Sequence, residues 1–301
     1  MHLPETVLYF PMQKSLSHLP LRKKRELRRV KETILAHTPT CEMIILYGSA
    51  ARGNFVDRDI YKEDNTWYEY RSDLDILVIT EDKKTSKDDN HFHRIEDILN
   101  NASEISSPVS IISHHIKEVN AKLRDGQYFF SDIKKEGYML FDSGNFKLER
   151  RRKIDNARRA EIAKEDFEQW FQKANSFLID FQHGFDRNDY NKAAFELHQA
   201  TEHAYTAVLL VYSGYKPKIH NIRSLGKKAC RYNAEFAKVF PMKTAEEKKC
   251  FKLLLKAYVD ARYKKDYSIT KGELEYLSER VKKLHKLTEK ICKETIKSFT
   301  A

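Results

Sequence analysis

Ile44-Ile45-Leu46-Tyr47-Gly48-Ser49-Ala50-Ala51-Arg52-Gly53, followed downstream by Ser72-Asp73-Leu74-Asp75-Ile76-Leu77-Val78-Ile79, decides the fold of the first half of this chain. Two short apolar runs of strand type bracket a Gly-Ser turn, and the second run opens with acidic residues at i and i+2. Successive side chains on a strand point to opposite faces, so Asp73 and Asp75 share one face while Leu74 and Ile76 take the other. Two carboxylates side by side repel each other unless a cation sits between them. A pair of carboxylates, with water and substrate phosphate completing the shell, is what Mg²⁺ (or Mn²⁺) prefers. Gly48 lets backbone approach a phosphate closely, Ser49 offers a hydroxyl, and the N–H groups of the following helix start point toward an anion.

Gly48-Ser49 followed by Asp73-Leu74-Asp75 resembles the signature of the DNA polymerase beta-like nucleotidyltransferase superfamily. Ala51-Arg52-Gly53 and Ser72 are similar, more narrowly, to the minimal nucleotidyltransferases and the kanamycin nucleotidyltransferase group. The resemblance implies an α/β (α+β) domain with a mixed sheet that transfers a nucleoside monophosphate from a nucleoside triphosphate to an acceptor hydroxyl. Asp73 and Asp75 are then the catalytic metal ligands, and Gly48, Ser49, Arg52 and Ser72 the nucleotide-binding residues. Two departures stand out. Residues 50–72 separate Ser49 from Asp73, longer than the family's usual gap, which loop-closure entropy tolerates because it rises slowly with length. Related enzymes also carry a third carboxylate in the next strand, as general base, yet Pro108-Val109-Ser110-Ile111-Ile112-Ser113 has none. Ser110 or Ser113 takes its place, and neither is a base at neutral pH. Glu104, Glu118 and His114 are the candidates left to take the proton.

The chain has 301 residues, 41% apolar and 33% charged, which predicts two domains, 1–147 and 148–301, each with its own core. No apolar run approaches the ~20 residues that cross a bilayer, and no export signal opens the chain. Cys41, Cys230, Cys250 and Cys292 are widely spaced and read as reduced thiols, so a cytoplasmic protein is expected. Charge is uneven: residues 1–147 carry 22 Lys and Arg against 23 Asp and Glu, net −1, and residues 148–301 carry 33 against 21, net +12. A basic half attracts phosphate-bearing partners and repels polycations, which argues against an aminoglycoside as acceptor.

An irregular lead-in over 1–19, with Pro4 and Pro11, precedes a basic amphipathic helix from Leu21 to Ala36, whose Arg22-Lys23-Lys24-Arg25 cluster reads as a solvated face. The polar, aromatic insertion Asn54–Arg71 reads as a loop or hairpin overhanging the site. A helix over His91–Leu99 turns Phe92, Ile95 and Ile98 inward. Gly126-Gln127-Tyr128-Phe129-Phe130 and the strand-like Tyr138-Met139-Leu140-Phe141 are expected to finish the sheet.

From Glu149 the pattern is helical throughout and predicts an antiparallel bundle. Phe167 to Phe181 forms one helix, and a second starts at an Asn188 or Asp189 cap and ends at Gly214. Arg223–Phe236 is a third. Phe251, Leu254, Leu255, Tyr258 and Val259 face inward on a fourth, and Leu274 to Ile291 forms a fifth. Phe195-Glu196-Leu197-His198-Gln199-Ala200-Thr201-Glu202-His203, His220-Asn221-Ile222-Arg223 and Asp260-Ala261-Arg262-Tyr263 resemble the motifs of HEPN domains. Many of those are ribonucleases using an arginine followed four to six residues later by a histidine. No arginine among Arg187, Arg223, Arg231 and Arg262 has one. The polar candidates that helical spacing could gather on one face are His198, Glu202, His220, Arg223, Asp260 and Arg262.

Two other functions compete with the transferase: a nucleotide sensor that binds without turnover, and an RNA-binding or toxin-antitoxin-related HEPN protein. The expected partners are a nucleoside triphosphate, an acceptor that is a small molecule, protein or RNA, no membrane, and a second copy of the chain against the apolar helix faces.

Overall fold

The computed structural model describes residues 15–57, 59–63, 66–70, 72–152, 154–217 and 219–301, with backbone alone for 59–63 and 66–70. Pro4 and Pro11 of the expected lead-in lie outside the described residues. The chain divides into two compact units, Met1–Lys153 and Ile154–Ala301.

The first unit runs α1 (Leu21–His37), β1 (Cys41–Tyr47), α2 (Gly48–Arg52), β2 (Asp59–Glu63), β3 (Thr66–Tyr70), β4 (Leu74–Thr80), α3 (Asp89–Asn100), β5 (Val109–His115), α4 (Ile116–Arg124), α5 (Tyr128–Glu136) and β6 (Tyr138–Asp142). The strands order β5-β4-β1-β6, with β1 antiparallel to β4 and β6 and β4 parallel to β5, so the sheet is mixed as expected. Both central strands are buried almost throughout, which explains their near-continuous apolar runs. Ile44, Leu46, Leu74, Ile76, Val109 and Ile111 join Leu27, Val30 and Ile34 of α1 and Phe92 and Ile95 of α3 in one core. The alternate residues Met43, Ile45, Leu77 and Ile79, also buried, face the other way.

Three expectations are corrected here. Tyr128-Phe129-Phe130 belong to helix α5, not the sheet: Tyr128, Phe130 and Ile133 are among its buried side chains. Ile98 is 44% exposed, one position off the buried row of Phe92, Ile95 and Leu99. Lys23, expected on the solvated face of α1, is fully buried, because positions 23, 27, 30 and 34 lie along the stripe that α1 turns inward.

The second unit comprises α6 (Asn156–Asp186), α7 (Tyr190–Ser213), α8 (Ile222–Cys230), α9 (Ala245–Ala257), α10 (Asp260–Tyr263) and α11 (Lys271–Ser298). The short link between α6 and α7 leaves room for nothing but an antiparallel hairpin. Asp189 caps α7, its carboxylate accepting from the Lys192 N–H, and Gly214 closes it at φ +64°. That left-handed cap lets the Gly214 N–H reach the Leu210 carbonyl at 2.7 Å. The expected single helix Arg223–Phe236 is instead α8 followed by a separate 3₁₀ turn at Ala234–Lys238, with Asn233 capping the turn. Val259, expected inward, is 47% exposed, since α9 ends at Ala257. All four cysteines are free thiols, and no helix among the described residues is long and apolar enough to cross a membrane.

Buried imidazoles make this unit sensitive to acid. His285 on α11 lies with Nδ1 3.1 Å from Asn175 Oδ1 and Nε2 3.3 Å from the Ala200 carbonyl oxygen. Burial pushes its pKa down to about 4, and burial, reinforced by His220, takes His198 down to about 3. In the unfolded chain both take up protons near pH ~6.5. The unfolded state therefore binds more protons below that pH, and stability falls as pH drops toward 4. Urea unfolding of the full chain followed by far-UV circular dichroism is expected to show the helical unit weaker at pH ~5 than at pH ~7 by roughly 2 kcal/mol for each histidine. His285→Gln should flatten that dependence, and an unchanged slope would exclude His285 as its source.

Candidate functional site

β1 ends at Tyr47 in extended conformation, and Gly48 turns the chain at φ +76°, a backbone region that L side chains rarely adopt, into the single turn of α2. In register opposite Tyr47, on β4, stands Asp75. A Cβ built on Gly48 would lie 2.5 Å from Asp75 Oδ2 and 3.3 Å from its Cγ. The Asp75 carboxylate thus occupies the space that any side chain at position 48 would need. Asp75 is 2% exposed and on the face away from α1 and α3, together with Leu77 and Ile79. Asp73, one residue before β4 and partly exposed, precedes it by two positions.

The remaining candidates of this unit are Ser49, Arg52 and Ser72. Ser49 is half-buried, and its carbonyl accepts from the Gly53 N–H. Arg52 Nη1 lies 3.7 Å from Glu136 Oε2 on α5, with the guanidinium half-exposed. Ser72 is buried, and its Oγ accepts from the Val56 N–H at 3.0 Å while its own N–H donates to the Val56 carbonyl at 2.9 Å. These two bonds close the base of the insertion, whose strands β2 and β3 pair from Asp59↔Tyr70 to Glu63↔Thr66. Asp64 and Arg71 lie outside the described residues, and the side chains of the hairpin are not described.

Beside Asp75 on β5 stands Ser110, in the place of a third carboxylate. Ser113 is buried and donates to the Ser86 carbonyl. Of the proton acceptors considered, His114 pairs in register with Ile79, four residues along the strand from Ser110, or about 13 Å. Its Nδ1 lies 3.3 Å from Glu118 Oε1, so both belong to the far end of the sheet. Glu104 pairs with Arg29 at 3.2 Å.

Carboxylate oxygens such as those of Asp73 and Asp75 are the hard donors that a divalent cation of the Mg²⁺ or Mn²⁺ type takes, and Asp75 lies against a glycine that keeps side-chain bulk away. Among the described residues, no group of three or more His, Cys, Asp or Glu side chains is arranged to hold a metal by itself. A two-carboxylate site of this kind leaves its remaining positions to water and substrate phosphate.

In the helical unit four candidates come together. The Glu202 carboxylate is buried and accepts from His220 Nδ1 at 3.0 Å. The His220 ring stacks on Tyr258 at 4.5 Å and 14°, and buried His198 lies 5.3 Å from the same ring. The Arg262 guanidinium sits 4.7 Å from the Phe195 ring and 4.9 Å from those of Tyr258 and Tyr263, with Nε donating to the Tyr258 carbonyl at 2.7 Å. The other two lie apart. Arg223 covers Phe251 at 5.1 Å, and Asp260 pairs with Lys264 at 3.1 Å. Tyr258, the ring that joins the cluster, has an apolar signature in the sequence and shows its role only through the bend after α9.

The HEPN domain family matches residues 167–291. No curated protein sequence matches the chain. Among solved structures, a nucleotidyltransferase-like protein from Exiguobacterium sibiricum 255-15 is 14% identical over 88% of this chain and 74% of its own, with a TM-score of 0.29. The protein TT1696 from Thermus thermophilus is 22% identical over 41% of this chain and 96% of its own, with a TM-score of 0.31.

Gly48→Ala is expected to displace the Asp75 carboxylate and add roughly 1 to 2 kcal/mol of backbone strain at a positive φ. Binding of Mn²⁺, followed by electron paramagnetic resonance, should be lost in this variant while circular dichroism shows the fold retained. Wild-type Mn²⁺ affinity in Gly48→Ala would show that the close approach has no bearing on cation binding.

Proposed function

We propose that the first unit is a nucleotidyltransferase, moving a nucleoside monophosphate from a nucleoside triphosphate to an acceptor hydroxyl with release of pyrophosphate. The observation that carries this reading is the Asp75 carboxylate held against Gly48 at the strand-to-helix turn. Gly48 and Ser49 cradle the triphosphate, with backbone able to come close where no Cβ intervenes. Asp73 and Asp75 would hold Mg²⁺, which would supply neutralisation of charge at the phosphate oxygens. Burial of Asp75 keeps bulk water away from one side of the reacting phosphate and strengthens every charge interaction there. Arg52, half-exposed and 3.7 Å from Glu136, keeps donors available to neutralise phosphate charge.

With Ser110 beside Asp75, no carboxylate of β5 takes the proton of the acceptor hydroxyl. General-base help is typically worth ~10² to 10⁴-fold, so a transferase of this composition is slow, or reacts with an acceptor of low pKa. The same observation favours a second reading, a sensor that binds nucleotide without turnover.

Incubation of the full chain with labelled nucleoside triphosphates, Mg²⁺ and candidate acceptors separates the two. The transferase releases pyrophosphate, and Asp73→Ala lowers the rate at least ~100-fold through loss of charge neutralisation worth several kcal/mol. Tight triphosphate binding with no release in the presence of any acceptor assigns the sensor instead. A chain that binds no triphosphate fits neither reading.

A further inference from the structure

Lys23 is the largest side chain wholly removed from solvent among the described residues, at 0% exposure. Its Nζ donates to Glu26 Oε1 and Oε2 at 3.2 and 3.1 Å and to Ser106 Oγ at 3.0 Å, and makes a further short hydrogen bond to Ser107 Oγ. Asp57 Oδ1 lies 3.2 Å from the same nitrogen, and the Phe55 ring centroid 5.1 Å away. Glu26 is equally buried and accepts from Ser106 Oγ at 2.7 Å. Arg22 adds two bonds of 2.6 Å to Asp57 from outside.

A buried ion pair is a poor device for stability alone. Desolvating both charges costs several kcal/mol per ion, and well-packed apolar side chains of the same volume often serve as well or better. An apolar residue, however, cannot tie several oxygens of separate chain segments to one point. Lys23 does that for two segments, and both lead to Asp73. Asp57 follows Val56, whose N–H and carbonyl are both bonded to Ser72, the residue before Asp73. Ser107 precedes Pro108, whose carbonyl accepts at 2.7 Å from the N–H of Leu74, the residue after Asp73. Asp73 is thus suspended between two backbone tethers whose far ends are joined through one ammonium group.

We propose that Lys23 is a positioning residue for the Asp73 carboxylate, fixing it relative to Asp75 for a divalent cation and the triphosphate it accompanies. This rests on the nucleotidyl transfer reading of the site. Val56 and Asp57 at the base of the insertion are part of the same chain of contacts, through the Val56–Ser72 bonds and the Asp57–Lys23 pair.

The test uses the full chain, Mn²⁺ as the probe and a non-hydrolysable nucleoside triphosphate, with electron paramagnetic resonance reporting bound metal. Lys23→Met should weaken Mn²⁺ binding about tenfold, as loss of a group supporting a metal ligand typically does. It should also speed hydrogen exchange at the Ser72 and Leu74 amides. Leu27→Ala, a core truncation on the same helix, serves as the control: it lowers the thermal midpoint but should leave Mn²⁺ affinity within about twofold of wild type, because it breaks neither tether. If Lys23→Met does not fold, Lys23→Met with Glu26→Met removes the whole buried pair and leaves the same tethers broken. Unchanged Mn²⁺ affinity in the folded variant, or an equal loss in Leu27→Ala, overturns the proposal. Should the wild-type chain bind no Mn²⁺, the transferase reading falls. Amide exchange at Ser72 and Leu74 then decides the tether by itself: faster exchange in the variant upholds it, and wild-type exchange overturns it.

Discussion

The apposition of the Asp75 carboxylate and the bare Cα of Gly48 depends on the register of the two central strands. Tyr47 stands opposite Asp75 only because Ile44, Ile45 and Leu46 pair with Val78, Leu77 and Ile76. Leu46, Ile76 and Leu74 are locked into the core under α1 and α3. A slip of one residue along either strand would turn those side chains out of the core and swing Asp75 to the opposite face. Hydrophobic burial, which has no direction of its own, thereby fixes the direction of a charge. The close approach of Asp75 to Gly48 follows from that one strand pairing.

That dependence also explains how much of the site is legible in the chain. The apolar runs at 44–47 and 74–79 have strand length and are bounded by polar residues, so the two strands are legible in the chain, while the role of the two acids rests on the resemblance of the motif. Ser72 is different. It sits in the same motif, but its hydroxyl is engaged by the Val56 N–H, a contact across the insertion that no local pattern encodes. Lys23 is hidden by composition. Within Arg22-Lys23-Lys24-Arg25 it looks like one more solvated cation, while its spacing from Leu27, Val30 and Ile34 places it on the buried stripe. Period outweighs residue type there, because a charged side chain goes wherever the helix face takes it if partners are waiting. Tyr128-Phe129-Phe130 mislead in the opposite way: three aromatics in a row suit a strand, and only the packing of Ile133 one turn on makes them a helix.

In the helical unit, buried polar residues are concentrated on α7, where Glu196, His198, Gln199, Thr201 and Glu202 are all shielded from solvent. Sequence spacing puts these groups on the helix and cannot say which side chain meets which. Burial settles it. Glu202 is satisfied by His220, and the flat face of His220 is covered by Tyr258. Around Arg262 stand three aromatic faces and one backbone carbonyl, an arrangement suited to a guanidinium, which is weakly hydrated and planar. The cluster itself contains no arginine-to-histidine pair at nuclease spacing, and its order comes from stacking as much as from ion pairing. Contrary to the expectation from Arg187, Arg223, Arg231 and Arg262, that spacing does occur elsewhere in the unit: Arg280 and His285 on α11 are separated by four residues, with Arg280 Nε donating to the Val239 carbonyl at 2.6 Å and His285 Nδ1 3.1 Å from Asn175 Oδ1.

The serine at position 110 completes the electrostatic account of the first unit. A third carboxylate on β5 would stand one strand away from Asp75, about 4.8 Å, and add a repulsion of roughly 3 kcal/mol at the effective dielectric of a half-buried site. Catalytic help from a general base is worth a similar amount, ~10² to 10⁴-fold in rate. Fewer negative charges also leave less for a cation to neutralise, which suits the proposed site, where Asp73 and Asp75 are the acids of the motif. In the proposed transferase, turnover would depend on how firmly those two acids are positioned, and the support proposed for Asp73 lies outside the sheet, where Lys23 of α1 meets Asp57 and Ser107.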